Sequence, residues 1–245
     1  MTDVLLIEDI GAVRRLTMNR PDKMNALNNA LTQALLDELT AADKAPGVNA
    51  VVLTGKGRGF CAGADVTEFK DMPASNPEAA LARGEMTTNL HAAFVKVSVP
   101  IICSVNGFAM GGGCGLAVAG DMTIACESAK FGYPEVKRDA VGAVVMANLV
   151  RQIGRKAAYE MVALGERVTA AEALQLGLIN RVVPDEKLEE QTMAIAMKIA
   201  GTARHAQRAT KRLFHRVCEM RLLDALEVGR DANMIMRSYT ISEKI

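Results

Sequence analysis

The spacing of apolar residues along the chain predicts an α/β protein in which strands and helices interleave. Leucines at positions 27, 31, 35 and 39 recur at helical spacing, which predicts one buried face of a helix over Leu27–Lys44. The stretch Pro77–Lys96 predicts a second long helix. Short apolar runs predict strands, the first two pairing around Asp9-Ile-Gly11: Val4–Glu8, Ala12–Met18, Val51–Leu53, Ile101–Val105 and Met122–Ala125.

The pattern changes after Arg155, where nearly every segment is typical of a helix. Thr169 stands three residues before Glu172, the spacing of a capping box, and Asp185 is a second expected helix cap. We therefore expect an α/β core over residues 1–184 and a helical region over residues 185–245. The segment Lys70–Pro77 is rich in Pro, Ser and Asn and predicts a loop.

Composition narrows the function classes without identifying one. Half of the 245 residues are apolar, and the formal net charge of +1 gives no reason to expect nucleic acid or membrane as a partner. The five cysteines are scattered without metal-ligand spacing, as expected of small buried residues in a reducing compartment. We read no signal peptide or membrane span and expect a cytoplasmic protein without a bound metal.

Two glycine-rich loops carry the candidate chemistry. Gly55-Lys-Gly-Arg-Gly-Phe-Cys-Ala-Gly-Ala-Asp65 follows a strand pattern, and Gly107-Phe-Ala-Met-Gly-Gly-Gly-Cys-Gly-Leu-Ala117 lies between a strand and a helix pattern. The first lacks the spacing of a dinucleotide fingerprint because alanine stands at position 62. Backbone N–H groups that glycines leave uncovered suit an anion or a developing oxyanion, and Asp65 can cap the element after its loop.

Five blocks in order make the chain resemble the enoyl-CoA hydratase/isomerase (crotonase) superfamily from about Ile7 to Asp231. They are Asn19-Arg-Pro-Asp-Lys-Met-Asn-Ala-Leu27, Arg58-Gly-Phe-Cys-Ala-Gly-Ala-Asp65, Val105-Asn-Gly-Phe-Ala-Met-Gly-Gly-Gly-Cys114, Phe131-Gly-Tyr-Pro-Glu135 and Thr169-Ala-Ala-Glu-Ala-Leu-Gln-Leu-Gly-Leu-Ile-Asn180. The resemblance implies a spiral of ββα turns with a helical C-terminal trimerisation region, assembled as a homotrimer or homohexamer.

The resemblance also implies a site for acyl-CoA thioesters. The N–H groups of Ala64 and Gly112 would bind the thioester oxygen and stabilise an enolate, and Glu135 would move protons at carbon. The water-activating glutamate of the resembled hydratases belongs at position 115, where this chain has glycine. One base suffices to move a double bond, whereas hydration is well served by two carboxylates.

We therefore expect a Δ3-Δ2-enoyl-CoA isomerase that uses Glu135 alone. One alternative is an enoyl-CoA hydratase of fatty-acid or related acyl-CoA degradation, with Asp139 as a possible second acid. Asp139 could instead be an ordinary surface charge beside Arg138. Another alternative is a catalytically weak acyl-CoA-binding protein. On the isomerase reading, Gly115→Glu should raise hydratase activity.

Coenzyme A is expected only as part of the substrate. The resemblance implies contacts with Met24, Ala26 and Leu27 along its thiol arm, and an adenine near Ala62, Asp65 and Val66. Lys211, on a partly basic helical stretch, is the candidate phosphate contact. That stretch could instead be an ordinary solvated face, and RNA binding is disfavoured because Phe214 is the only aromatic residue nearby. Candidate acyl-pocket residues are Met72, Met86, Leu90, Met110, Val141, Val144 and Met146.

Overall fold

The two N-terminal strands form one edge of the main sheet. The structure, a computed structural model, describes residues 3–71 and 76–242. Strands β1 (Leu5–Ile10) and β2 (Val13–Met18) pair antiparallel around Gly11, as predicted. Strand β2 then pairs in parallel with β3 (Ala50–Gly55), which begins the repeating part of the fold.

The repeating unit contributes one strand to each of two sheets and then a helix. The six-stranded sheet has the order β1-β2-β3-β5-β7-β10, and the four-stranded sheet has the order β4-β6-β8-β9. The remaining strands are β4 (Gly59–Cys61), β5 (Ile101–Val105), β6 (Phe108–Met110), β7 (Met122–Cys126), β8 (Lys130–Gly132), β9 (Arg167–Thr169) and β10 (Arg181–Val183). Three successive strand pairs, β3/β4, β5/β6 and β7/β8, each lead towards a helix, so the expected ββα spiral is present.

The helices cover the sheets and extend beyond them. They are α1 (Asn29–Lys44), α2 (Pro77–Lys96), α3 (Gly112–Ala119), α4 (Ala143–Ile153), α5 (Arg155–Leu164), α6 (Ala170–Gln175), α7 (Leu188–Ala200), α8 (Arg204–Val217) and α9 (Leu222–Ser242). Helix α2 has the predicted bounds, whereas α1 begins two residues after Leu27. Asn28 caps α1, and Leu27 pairs with Ala64 in an isolated β-bridge instead.

The predicted helix caps differ in outcome. Thr169 and Glu172 form the capping box at the start of α6. Asp185 is not a side-chain cap, because its carboxylate accepts a hydrogen bond from the Ser128 amide and α7 begins three residues later. Asp185 instead ties the start of the C-terminal region to the turn after β7.

The C-terminal region is helical, but its first helix belongs to the core. Helix α7 packs against β3, β5 and β7, and its Thr192 hydroxyl lies 3.1 Å from the Ser104 hydroxyl of β5. Helix α9 exposes large apolar side chains at Leu222, Leu223 and Leu226. A trimer or hexamer remains a prediction. No helix among residues 3–71 and 76–242 is long and apolar enough to cross a membrane.

Candidate active site

The backbone N–H of Ala64 takes no part in the β-bridge that fixes its loop, and it points away from that bridge. In the bridge between Leu27 and Ala64, the Leu27 amide donates to the Gly63 carbonyl (2.7 Å) and the Asp65 amide donates to the Leu27 carbonyl (3.0 Å). The two flanking residues therefore make the bridge hydrogen bonds, and alternation along an extended strand turns the N–H of Ala64 to the other side.

Gly112, whose backbone amide is the second predicted donor, lies against the same loop. It is the first residue of α3, so its N–H has no carbonyl one turn earlier to bind. A Cβ on Gly112 would lie 3.8 Å from the Ala64 nitrogen, which places the two loops in contact. Glycine is required at position 63, where φ is +89° and a Cβ would lie 2.7 Å from the Met110 carbonyl oxygen. The structure thus brings together the two amides that the sequence predicts as oxyanion donors.

A buried polar network, not predicted from sequence, holds the first loop. Asn25 is fully buried with φ of +56°, and its side-chain nitrogen donates to the Gly59 carbonyl (2.8 Å). Arg20 donates to Asp65 Oδ2 (2.8 Å) and to the Ala26 carbonyl. The sequence signal was the asparagine in Met24-Asn25, since asparagine tolerates the left-handed region better than most residues.

Asp65 is a structural anchor of the same loop. Its Oδ1 accepts from the Thr67 amide (3.1 Å) and hydroxyl (2.6 Å), as a capping residue would. Hydrogen bonds from Thr67 and Arg20 hold the pKa of the Asp65 carboxyl below its usual range. Both carboxylate oxygens of Asp65 therefore already have partners within the protein. A contact with coenzyme A would have to use the backbone of Asp65.

Glu135 lies directly against the second loop. It sits in a short 3-10 helix, Pro134–Arg138, after β8. Its Oε1 is 2.7 Å from the position that a Cβ would take on Gly111, the residue before Gly112. Its Oε2 is buried and has no hydrogen-bond partner among the described residues. Burial raises the pKa of Glu135, although its own backbone amide and nearby Arg138 oppose the shift.

Asp139 does not share this environment. Its side chain is exposed, and it ends the 3-10 helix in a left-handed conformation while its amide donates to the Glu135 carbonyl. The structure therefore favours the surface-charge reading of Asp139 over the second-acid reading.

The space beside Gly115 is filled by neighbouring side chains. A Cβ there would lie 2.4 Å from Val145 Cγ1 and 2.7 Å from His91 Cε1, and both distances are far below contact distance. Val145 comes from α4 and His91 from α2. A glutamate at position 115 would therefore have to displace both side chains, which argues against the expectation that Gly115→Glu would simply restore a second base.

The predicted coenzyme A strip, formed by residues 24, 26, 27, 62, 65 and 66, surrounds the Ala64 loop. Met24 has φ of +47°, and its carbonyl accepts from the Ala62 amide (2.9 Å). Ala26 and Leu27 are buried, whereas Val66 is 49% exposed. These residues lie together around one loop, and their contact with coenzyme A remains a prediction.

Lys211 lies in a different place and has other partners. It is buried, and its Nζ lies 2.7 Å from Asp121 Oδ2 and donates to the Val99 carbonyl (3.0 Å). His215 contacts the other Asp121 oxygen, and Arg208 pairs with Asp43 (2.7 Å). These groups fasten α8 to the core. The structure therefore does not support a phosphate contact for Lys211, nor a wholly solvated basic face.

The other residues singled out from the sequence lie in the core, on the surface or outside the described residues. Cys114 is buried, and desolvation raises the pKa of its thiol to about 12, which makes it unsuited to act as a nucleophile. Cys218 is exposed, against the expectation that the cysteines are buried. Leu90 and Met110 are buried, Val141 is 74% exposed, and Met72 lies outside the described residues.

Comparison with known proteins gives a consistent result. Residues 8–244 match the family described as Enoyl-CoA hydratase/isomerase. The chain is 36% identical over 229 residues to 2,3-dehydroadipyl-CoA hydratase of Escherichia coli, covering 92% of this chain and 87% of that protein. The crystal structure of an enoyl-CoA hydratase from Mycobacterium smegmatis superimposes with a TM-score of 0.91 at 33% identity, covering 95% and 90% of the two chains. That of Bacillus anthracis enoyl-CoA hydratase gives 0.89 at 31% identity, covering 94% and 90%.

Proposed function

Given that the chain belongs to the enoyl-CoA hydratase/isomerase family, we propose that it moves the double bond of a 3-enoyl-CoA to the 2-position. Glu135 is the single acid-base group in this proposal, and the amides of Ala64 and Gly112 bind the thioester oxygen. Coenzyme A enters and leaves as part of the thioester.

The proposed reaction needs two proton transfers and one stabilised anion. Ionised Glu135 removes a proton from C2 of the 3-enoyl thioester, and the electron pair moves onto the thioester oxygen as a dienolate. Protonated Glu135 then returns the proton to C4, which leaves the double bond between C2 and C3. Each oxyanion donor of this kind is worth about 2.7–4 kcal/mol of the barrier.

The main support for this proposal is the environment of the Glu135 carboxyl. A buried carboxylate oxygen without a hydrogen-bond partner destabilises the folded protein. Here it lies beside Gly111, and the next residue, Gly112, is one of the two proposed oxyanion donors. Burial favours the protonated form, which makes the group a better proton carrier near neutral pH. The exposed Asp139 and the filled space at Gly115 leave no second carboxylate at this position among the described residues.

Hydration is the second candidate, and it is favoured by the names of the relatives. The Escherichia coli, Mycobacterium smegmatis and Bacillus anthracis proteins are all named as hydratases. Hydration by this chain would need a group other than a carboxylate at position 115 to hold the added oxygen. A catalytically weak acyl-CoA-binding role is the remaining alternative.

Binding of the coenzyme A portion is proposed on the strip around the Ala64 loop. Met24, Ala26 and Leu27 would follow the thiol arm through their backbone, and Ala62, Asp65 and Val66 would border the adenine. The buried loop network of Arg20 and Asn25 supports this proposal because it fixes the backbone that such contacts would use.

An ultraviolet assay with two substrates tests the proposal. The purified protein is offered a 3-enoyl-CoA and a 2-enoyl-CoA of equal chain length, and the absorbance of the conjugated thioester is followed. We expect absorbance to rise with the first substrate and to stay constant with the second. Loss of absorbance with the 2-enoyl-CoA would establish hydration, and no change with either substrate would favour the binding role.

A further inference from the structure

Arg83, in the second turn of α2, reaches across to the start of α1. Its Nη2 donates to the Leu27 carbonyl (2.6 Å). Its Nη1 donates to Asn29 Oδ1 (2.9 Å) and to Thr32 Oγ1 (3.1 Å). All three acceptors are uncharged. A half-buried guanidinium loses part of its hydration, so these specific hydrogen bonds are what compensates the charge at this position.

Leu27 connects this arginine with both proposed oxyanion donors. The Leu27 carbonyl, which binds Arg83, also accepts the Asp65 amide (3.0 Å) in the β-bridge beside Ala64. The Leu27 side chain extends the other way, and its Cδ1 lies 3.5 Å from the Cβ position of Gly112. Leu27 therefore holds the loop of one donor through its backbone and contacts the residue of the other donor through its side chain.

A second arginine binds the preceding carbonyl from a different element. Arg20, in the segment between β2 and α1, donates to the Ala26 carbonyl and to Asp65 Oδ2 (2.8 Å). Two consecutive carbonyls, those of Ala26 and Leu27, are thus each bound by a guanidinium. The contact of Arg83 differs because it ties this segment to α2, whereas Arg20 lies a few residues away along the chain.

We propose that Arg83 is a positioning residue for the oxyanion site, which holds the Ala64 amide in place relative to the Gly112 amide through the Leu27 carbonyl. This inference rests on the proposed function, because the two amides are the donors proposed there. Arg83 lies outside all five sequence blocks that identify the family.

Preorganisation explains why a hydrogen bond behind the donor loop should affect catalysis. Backbone amides stabilise a developing oxyanion most when they are already fixed, since they need no reorganisation as the charge appears. The unreacted thioester carries less charge on its oxygen and gains less from fixed amides. Loosening Leu27 should therefore slow the chemical step and leave the binding of an unreactive thioester nearly unchanged.

Kinetics of Arg83→Met and Lys96→Met test the positioning role. Both variants remove a cation from α2, but Lys96 is exposed and lies in the last turn. For Arg83→Met we expect kcat for 3-enoyl-CoA isomerisation to fall about tenfold, less than the roughly 100- to 1,000-fold loss when an oxyanion donor is removed outright. KM should stay within about twofold. Lys96→Met should keep the wild-type constants.

The conservative variant Arg83→Lys shows whether the forked shape of the guanidinium matters. A single ammonium can replace one contact but cannot bind the Leu27 carbonyl and both α1 oxygens together. We expect its kcat to lie between those of the wild type and Arg83→Met. Thermal unfolding of all three variants confirms that they fold.

A ligand that forms an enolate gives a readout independent of turnover. Acetoacetyl-CoA forms an enolate that absorbs in the ultraviolet, whereas butyryl-CoA stays an ordinary thioester. We expect Arg83→Met to bind the acetoacetyl-CoA enolate about tenfold more weakly than the wild type does. The dissociation constant of butyryl-CoA, measured by calorimetry, should be the same for both proteins.

The possible failures are distinguishable. Wild-type kcat and wild-type enolate affinity in Arg83→Met would overturn the positioning role and leave the proposed function standing. Equal losses of enolate and butyryl-CoA affinity would show a general structural role and contradict the inference. If Arg83→Met does not fold, the same two comparisons on Arg83→Lys decide the question. Wild-type protein that neither isomerises a 3-enoyl-CoA nor binds the enolate would overturn the proposed function itself.

Discussion

Lys211 and His91 are buried to a similar extent, with 6% and 4% of their surfaces exposed, but their surroundings differ. Lys211 has the Asp121 carboxylate and the Val99 carbonyl within hydrogen-bond distance. His91, and Glu135 Oε2 on the other side of Val145, have no partner among the residues described. A buried polar group with partners stabilises a helix on its sheet, whereas one without partners is where a ligand can supply the missing interaction.

Removing one partner of the buried ion pair should have the largest effect on stability. Lys211→Met leaves the Asp121 carboxylate without its closest cation, and we expect the free energy of unfolding to fall by about 3 kcal/mol. Urea denaturation measures the change. Arg212→Met, one residue further along α8 at an exposed position, is the matched control and should have little effect. Equal effects of the two variants would show that α8 does not depend on its buried ion pair.

A second test addresses the space at Gly115. Gly115→Glu must displace Val145 and His91, and we expect a loss of about 1–3 kcal/mol in stability without any gain of hydratase activity. Adding Val145→Ala should recover part of the stability. Gly84→Glu is a control on α2, because a Cβ at Gly84 would meet nothing within 4 Å. A stable Gly115→Glu protein with new hydratase activity would contradict the packing described at this position.

A third test uses pH. Because burial raises the pKa of Glu135, the ionised base is lost at a higher pH than for an ordinary glutamate. Isomerisation should therefore fall about tenfold per pH unit below that raised pKa, and Asp139→Asn should leave the profile unchanged. The raised folded-state pKa also costs stability as pH increases from the unfolded-state pKa through the folded-state value. Over that window the stability of Glu135→Gln should increase relative to the wild type. A wild-type rate that stays constant down to the pH of an ordinary glutamate would contradict the assigned environment.

How much of the site could be predicted depended on whether the chemistry lies in the backbone or in side-chain packing. The two glycine loops were predictable because glycine runs between strand and helix patterns are local features, and the loops follow β4 and β6 in the structure. The oxyanion-donor role of Ala64 and Gly112 stays a prediction. The leucine spacing predicted α1, but the predicted helix began too early, at Leu27. That residue fits the pattern of buried leucines although it lies in a β-bridge rather than in the helix.

The rest depended on contacts that are distant in sequence. Strands β4, β6, β8 and β9 have only three residues each, too few for a periodic pattern to appear. Basic residues of α8 resemble a solvated face until Asp43 and Asp121 are seen beneath them. Nothing in the sequence around His91 predicts its position, since its contact is with Gly115, a glycine 24 positions later in another helix.

The central claim is that Glu135 alone moves the proton. The most direct measurement compares the rate of 3-enoyl-CoA isomerisation by Glu135→Gln and by Asp139→Asn, with thermal unfolding of both to confirm that they fold. We predict a loss of at least about 100-fold for Glu135→Gln and a wild-type rate for Asp139→Asn. A folded Glu135→Gln protein that isomerises at the wild-type rate would contradict the account.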